Sequence, residues 1–261
     1  MNFKTIIFLM LFFPAILLSQ ESLLFKTLCA NVFEPRIGSF YQFSDEKLRL
    51  DIGTSLDLYN FDLEGNRFSI GADFFTYTRL RSESNFKFPV ETTDFFFGAN
   101  LNWLSEKNFS GRLRLAHISS HLSDGFAKDS IFFKAPFVFS REFVDLVFAY
   151  RIEDIRPYIG MNCIFSTQPK DVSAFNPQIG FDYEKRLCGL LSLVCGYDFK
   201  LIGIAEKYMP SNAAQAGLKL HSSEKTALLF SLYYYEGRSF HGLFYKEMDS
   251  YVGLGFQLVF F

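Results

Sequence analysis

Leu48-Arg49-Leu50-Asp51-Ile52-Gly53-Thr54-Ser55-Leu56-Asp57-Leu58 is the stretch that decides the fold. Leu48, Leu50, Ile52, Leu56 and Leu58 share one parity, while Arg49, Asp51, Gly53, Ser55 and Asp57 take the other. A period of two with one apolar face is the signature of a β-strand. The next segment repeats it, with Phe68, Ile70, Ala72 and Phe74 set against Arg67, Ser69, Gly71, Asp73 and Arg79. So does the last, with Val252, Leu254, Phe256, Leu258 and Phe260 set against Tyr251, Gly253, Gly255 and Gln257. A soluble sandwich also alternates. Two features favour a transmembrane barrel instead. The segments run to about ten residues or more, the length of a tilted membrane strand. The chain also closes on Val259-Phe260-Phe261, a terminal aromatic of the kind found in bacterial outer-membrane barrels, with Phe260 on the apolar parity.

Composition agrees. The chain has 261 residues, 49% of them hydrophobic and 19% aromatic, with 35 Phe and 13 Tyr. Its mean hydropathy is +0.11. After the N-terminus no run of about 18 apolar residues occurs, so a bundle of membrane helices is excluded. With 26 basic and 28 acidic residues the charge is near neutral, which excludes a nucleic-acid partner of the usual basic kind. At the N-terminus Lys4 precedes an apolar run from Ile6 to Leu18, ended by Ser19, Gln20 and Glu21. This reads as a secretory signal over residues 1–20, cleaved near Ser19 or Gln20, followed by a barrel domain over 21–261. Lys26 and the polar gap before Cys29 argue against a lipoprotein. Cys163, Cys188 and Cys195 show no CxxC or metal-ligand spacing and read as ordinary residues, so no metal and no cofactor are expected.

Counting segments gives an all-β antiparallel barrel of about twelve strands. They are expected near 36–43, 47–60, 66–80, 92–104, 109–121, 132–151, 155–166, 176–186, 190–202, 212–221, 225–236 and 250–261. The sixth is long enough to hide a bulge. The connections alternate in length. Those at Asp62–Gly65, Ser105–Asn108, Glu153–Asp154, Arg186–Gly189 and Ser222–Glu224 are short. Those at Arg81–Glu91, Leu122–Ile131, Thr167–Phe175, Ile204–Ser211 and Gly237–Asp249 are longer. Only the first hairpin, around Ser44 to Glu46, breaks the alternation. Tight turns on the periplasmic side and long loops outside put the C-terminus in the periplasm. The expected partners are outer-membrane lipid and the barrel-assembly machinery, and the oligomeric state is left open. The lumen is expected to be polar with both signs of charge, including Arg49, Asp51, Asp57, Asp73, Arg79, Asp94, Arg112, Arg114, Asp145, Asp182, Glu184, Asp198 and Lys200. Mixed charge in a narrow barrel points to mutual pairing, whereas a selective pore favours one sign.

One stretch departs from the pattern. Leu113 and Leu115 take the outward parity, and His117, Ser119 and His121 continue it through His117-Ile118-Ser119-Ser120-His121-Leu122-Ser123-Asp124-Gly125. Polar groups on a lipid-facing row are costly unless partnered, or unless the strand already projects into headgroups. His117 and Ser119 lie about 6.6 Å apart along one face, close enough for a base and its nucleophile. Ser120, His121, Asp124 and Glu142 are possible accessory residues. If Leu122–Ser130 is the loop tip, His117 pairs near Ala135 and Glu142 falls too far toward the periplasm, while Asp124 sits in a loop. His117 and His121, about 13 Å apart on a regular strand, are too distant to share one ion.

The His117-x-Ser119 pair resembles that of outer-membrane phospholipase and lipid A deacylase barrels, which carry it on the lipid-facing side of a strand. Over most of its mature length the chain resembles a bacterial envelope family known as domain of unknown function 1207. The resemblance is carried by Phe25 with Ala30 to Arg36, by His117 to Asp124, by Phe139-Ser140-Arg141-Glu142 and by Arg156 to Gly160. It continues in Tyr235-Glu236-Gly237 through Gly242, in Phe244-Tyr245 and in Tyr251 to Gly255. That family's pattern continues His-x-Ser-Ser-His-x-Gly-Asp-Glu, and here Ser123 replaces the Gly and Gly125 the Glu. The resemblance implies an envelope location without an assigned activity. Three functions fit: a structural or binding role in the envelope, ester hydrolysis of a surface lipid or lipid A by His117 and Ser119, and a small pore.

Overall fold

The computed structural model describes residues 23–83, 85–128, 131–132, 134–223 and 226–260. The expected signal segment, residues 1–20, lies outside the described residues, as does Phe261.

The strands are β1 (Ile37–Gln42), β2 (Lys47–Leu63), β3 (Asn66–Arg81), β4 (Val90–Leu104), β5 (Phe109–Leu122), β6 (Ala127–Lys128) and β7 (Ile131–Phe132). They continue as β8 (Phe139–Tyr150), β9 (Ile155–Gln168), β10 (Phe175–Cys188), β11 (Leu191–Ile204), β12 (Lys207–His221), β13 (Thr226–Arg238) and β14 (Met248–Phe260). The two-residue strands β6 and β7 pair with each other in a loop. The other twelve close into an antiparallel barrel in which each strand pairs with its chain neighbours and β1 with β14. Alternation sets the two faces. Ile52, Ile70, Phe74, Leu115 and Leu254 stand exposed on the outer wall, while Arg49, Asp51, Asp73 and Arg114 are buried inside.

Two boundaries differ most from the sequence reading. The sixth barrel strand, expected at 132–151, is β8 and begins only at Phe139. Pro136 explains the loss: it carries no N–H for a ladder and restricts the residue before it. The connection expected at 204–211 is a two-residue turn, Ala205–Glu206, with φ of 49° and 64°. This is the left-handed geometry that suits a tight hairpin. Pro210 looks like a breaker, yet it lies within β12. There β12 pairs with β11 alone, because its pairing with β13 begins at Asn212. A strand with a neighbour on one side only can accommodate a residue with no donor.

The lumen is filled, and by more than paired charges. Residues 23–36, ahead of β1, enter it as a plug. Leu28 and Phe25 of the plug pack with Val147, Ala149 and Tyr158 of the wall. Arg156 donates to the carbonyls of Lys26 and Thr27 at 2.9 and 3.0 Å. The amide of Cys29 donates to Asp182 at 2.8 Å. Lys200 donates to Asn31 at 2.9 Å, and Arg49 to the carbonyl of Val32 at 3.0 Å. Glu34 accepts from Arg112 at 2.9 Å and lies 3.5 Å from Arg114, which also holds Asp73 at 2.9 Å. The expected pairing of inward charges is present, and Glu34 of the plug adds a carboxylate to it.

The half of the lumen nearer the long loops is aromatic, where the sequence reading expected a polar interior. Phe75, Tyr77, Phe96 and Tyr235 of the wall point inward there and are buried. The β13–β14 loop folds down onto them. Its His241 Nδ1 meets Asp94 at 2.7 Å, and the amide of Gly242 donates to the other Asp94 oxygen at 2.8 Å. The amide of Leu243 donates to Ser120 Oγ at 3.2 Å. A side chain at Gly242 would collide with the Phe139 ring, so the close approach of this loop to β8 requires glycine there.

Candidate active site

The site is assembled by register. β5 meets β8 with Ser120 opposite Phe139, Ser119 opposite Ser140, Ile118 opposite Arg141 and His117 opposite Glu142. The expected pairing of His117 near Ala135 is therefore wrong by seven positions, because Ala135 belongs to the loop that precedes β8. The displaced register brings Glu142 directly across from His117. Their side chains meet on the outer wall, Nδ1 to Oε1 at 2.9 Å, each about a third exposed (40% and 31%). A carboxylate can only accept, so the imidazole donates through Nδ1, and in the neutral ring Nε2 then carries the lone pair. That is the tautomer a general base needs.

Ser119 lies two residues along the same outward row, half-buried. No hydrogen bond between Ser119 and His117 is present among the described residues. Such contacts commonly tighten only when substrate is bound. Phe97 lies opposite His117 and Phe95 opposite Ser119 on β4, so the row is flanked by rings on that side. On the far side β9 sets Ser166 opposite Glu142 and Gln168 opposite Ser140. Two polar cross-strand rows result: Ser119, Ser140 and Gln168 in one, His117, Glu142 and Ser166 in the other.

The remaining candidates are not part of this group. Ser120 faces the lumen, buried, and accepts from Leu243. His121 is exposed one step beyond Ser119 on the outward row and packs edge-on against Phe95 at 5.7 Å. Asp124 begins a short 3₁₀ turn, Asp124–Phe126, in the loop. No group of three or more His, Cys, Asp or Glu is placed to hold a metal ion among the described residues. Ser166 escaped the sequence reading altogether, since nothing in the local sequence marks which way it faces.

The barrel, its closure and its outward apolar wall define an outer-membrane-type β-barrel protein. The structure of the Salmonella typhi outer membrane phospholipase dimer with bound calcium superposes with a TM-score of 0.61, at 14% identity, over 94% of this chain and 96% of that one. The Escherichia coli outer membrane phospholipase A gives 0.58 at 15% identity, over 89% and 98%. An active-site mutant of the Escherichia coli enzyme gives 0.59 at 15%, over 94% and 96%. Likeness at such identities is a likeness of fold. A comparison of the sequence with curated proteins finds no match. The chain belongs to the family of proteins of unknown function DUF1207, whose model matches residues 43–260.

Proposed function

We propose that this protein is a lipid ester hydrolase of the bacterial outer membrane, with Ser119 as nucleophile, His117 as base and Glu142 as the group that holds the imidazole. The observation that carries this is the 2.9 Å contact of His117 Nδ1 with Glu142 on the outer wall, two residues from Ser119. The fold shared with two outer membrane phospholipases supports it. Ser119 Oγ attacks the ester carbonyl carbon as its proton passes to His117 Nε2. That proton then leaves with the alcohol as the carbon–oxygen bond breaks, and water releases the acyl group by the reverse path. Glu142 stabilises the imidazolium formed between these steps without itself taking the proton.

In this reading the long loops face outward and the C-terminus lies in the periplasm, so the site meets lipid near the outer headgroups. The barrel-assembly machinery would insert the chain. The test is fatty-acid release from phosphatidylethanolamine or lipid A in detergent micelles by the folded protein. Because the Salmonella typhi phospholipase was solved as a dimer with bound calcium, the assay is run with added calcium and with EDTA, with the oligomeric state measured in each. Wild-type release that disappears in Ser119→Ala is the expected result. No release under either condition would overturn the hydrolase reading. The remaining reading would then be a structural or binding barrel, which the filled lumen favours over a pore.

A further inference from the structure

Ser166 owes its direction to an irregularity in β9. Glu142 pairs with Ser166, but Phe143 pairs with Ile164, so Phe165 has no counterpart on β8. Ile164 and Thr167 are buried, whereas Phe165 and Ser166 are both exposed. Strict alternation from Ile164 would turn Ser166 into the lumen. The extra residue turns it outward, directly opposite Glu142 on the neighbouring strand. A bulge gives up a ladder position and re-aims a side chain, and bulges gather beside active sites. Here the re-aimed side chain is a hydroxyl, and it arrives opposite Glu142, the carboxylate that touches His117.

We propose that Ser166 is a positioning residue: its hydroxyl donates to Glu142 and fixes the carboxylate that receives the His117 Nδ1 hydrogen bond. This rests on the reading of His117, Ser119 and Glu142 as a hydrolytic site. An ionised carboxylate has more acceptor positions than one imidazole fills. At the surface of a barrel it is free to rotate away from the ring. A second donor on the strand beyond closes that freedom, and Ser166 is the side chain that the register puts there.

The experiment uses the full chain folded in detergent micelles and compares Ser166→Ala, Ser166→Thr, Glu142→Ala and the Ser166→Ala/Glu142→Ala double variant. In Ser166→Ala, kcat for lipid ester falls about five- to tenfold, the worth of a typical net hydrogen bond at a partly exposed site, with KM unchanged. Ser166→Thr keeps a hydroxyl and stays within about twofold of wild type. With Glu142 already removed, loss of Ser166 has no further effect, because the two act as a unit. Independently of turnover, solvent exchange of the His117 Nδ1 proton, read by NMR with nitrogen-labelled histidine, speeds up about as much in Ser166→Ala as kcat falls. The chain has only 4 His, so the resonance is assignable. An unchanged kcat, an equal loss in both Glu142 backgrounds, or an unchanged proton exchange overturns the proposal. If the wild type hydrolyses no lipid ester, the hydrolase reading fails, and the proton exchange alone decides the role of Ser166.

Discussion

Ser119 and Ser120 are adjacent and chemically identical, and the strand gives them different surroundings. Ser119 stands on the outer wall beside His117, while Ser120 is buried and accepts the Leu243 amide at 3.2 Å. Their alanine variants therefore separate. Ser119→Ala is expected to remove lipid ester hydrolysis with a stability change within about 0.5 kcal/mol, since one partly exposed hydroxyl is lost. Ser120→Ala is expected to keep hydrolysis within about twofold and to cost about 1–2 kcal/mol, because it leaves a buried amide without its acceptor. Fatty-acid release and a thermal or denaturant unfolding midpoint on the same samples check both. Equal loss of activity in the two would contradict the alternation of β5. Glu142→Ala is expected to lower kcat about a hundredfold, since the imidazole then keeps neither orientation nor tautomer.

Among the elements, those written by alternation were legible and those set by an offset were not. The number of barrel strands, their antiparallel closure and the outward row of β5 follow from a period of two. The partner of His117 does not, because it depends on how many residues β8 spends before entering the ladder. Pro136 was the available signal: a central strand cannot carry it comfortably, so β8 starts after it. For the Ala205–Glu206 turn the signal was absent, since neither residue is a usual left-handed turn former. The β9 bulge was equally silent, because one inserted residue leaves no trace in composition. The aromatic half of the lumen, with Phe75, Tyr77 and Phe96 facing inward, was read as polar because the charged residues of the same parity dominated the pattern, and nothing hinted at the loop that covers these rings. That loop is held by Asp94, which accepts from both His241 and Gly242. Asp94→Ala is expected to speed amide exchange at Gly242 and Leu243 at least about tenfold while the β5 and β8 amides stay protected. Uniformly faster exchange along the strands would mean that Asp94 supports the barrel and not the loop.

For the whole molecule the filled lumen decides what the barrel does not do. The plug, its ion pairs and the folded loop occupy the interior, so no steady conductance is expected in planar bilayers, and a stable open channel would refute a filled lumen. Glu34→Ala would leave Arg112 and Arg114 without that shared carboxylate, at a cost of about 3–5 kcal/mol, read as a lower temperature for the shift between folded and boiled migration in SDS gels. The ring is also unevenly fastened. β1 contributes six residues and meets β14 only from Ile37–Leu258 to Gln42–Gly253, whereas β13 meets β14 from Thr226–Phe260 to Arg238–Met248. β1 continues directly from the plug, whose Arg36 donates to the Asn31 carbonyl at 2.7 Å. That seam, six positions long and with the five-position β1–β2 seam among the two shortest of the ring, and the stopper are thus one stretch of chain. Any sideways parting of the wall at that seam tugs on what seals the middle, so a lateral gate and an axial gate could not operate independently: they would move as a single latch.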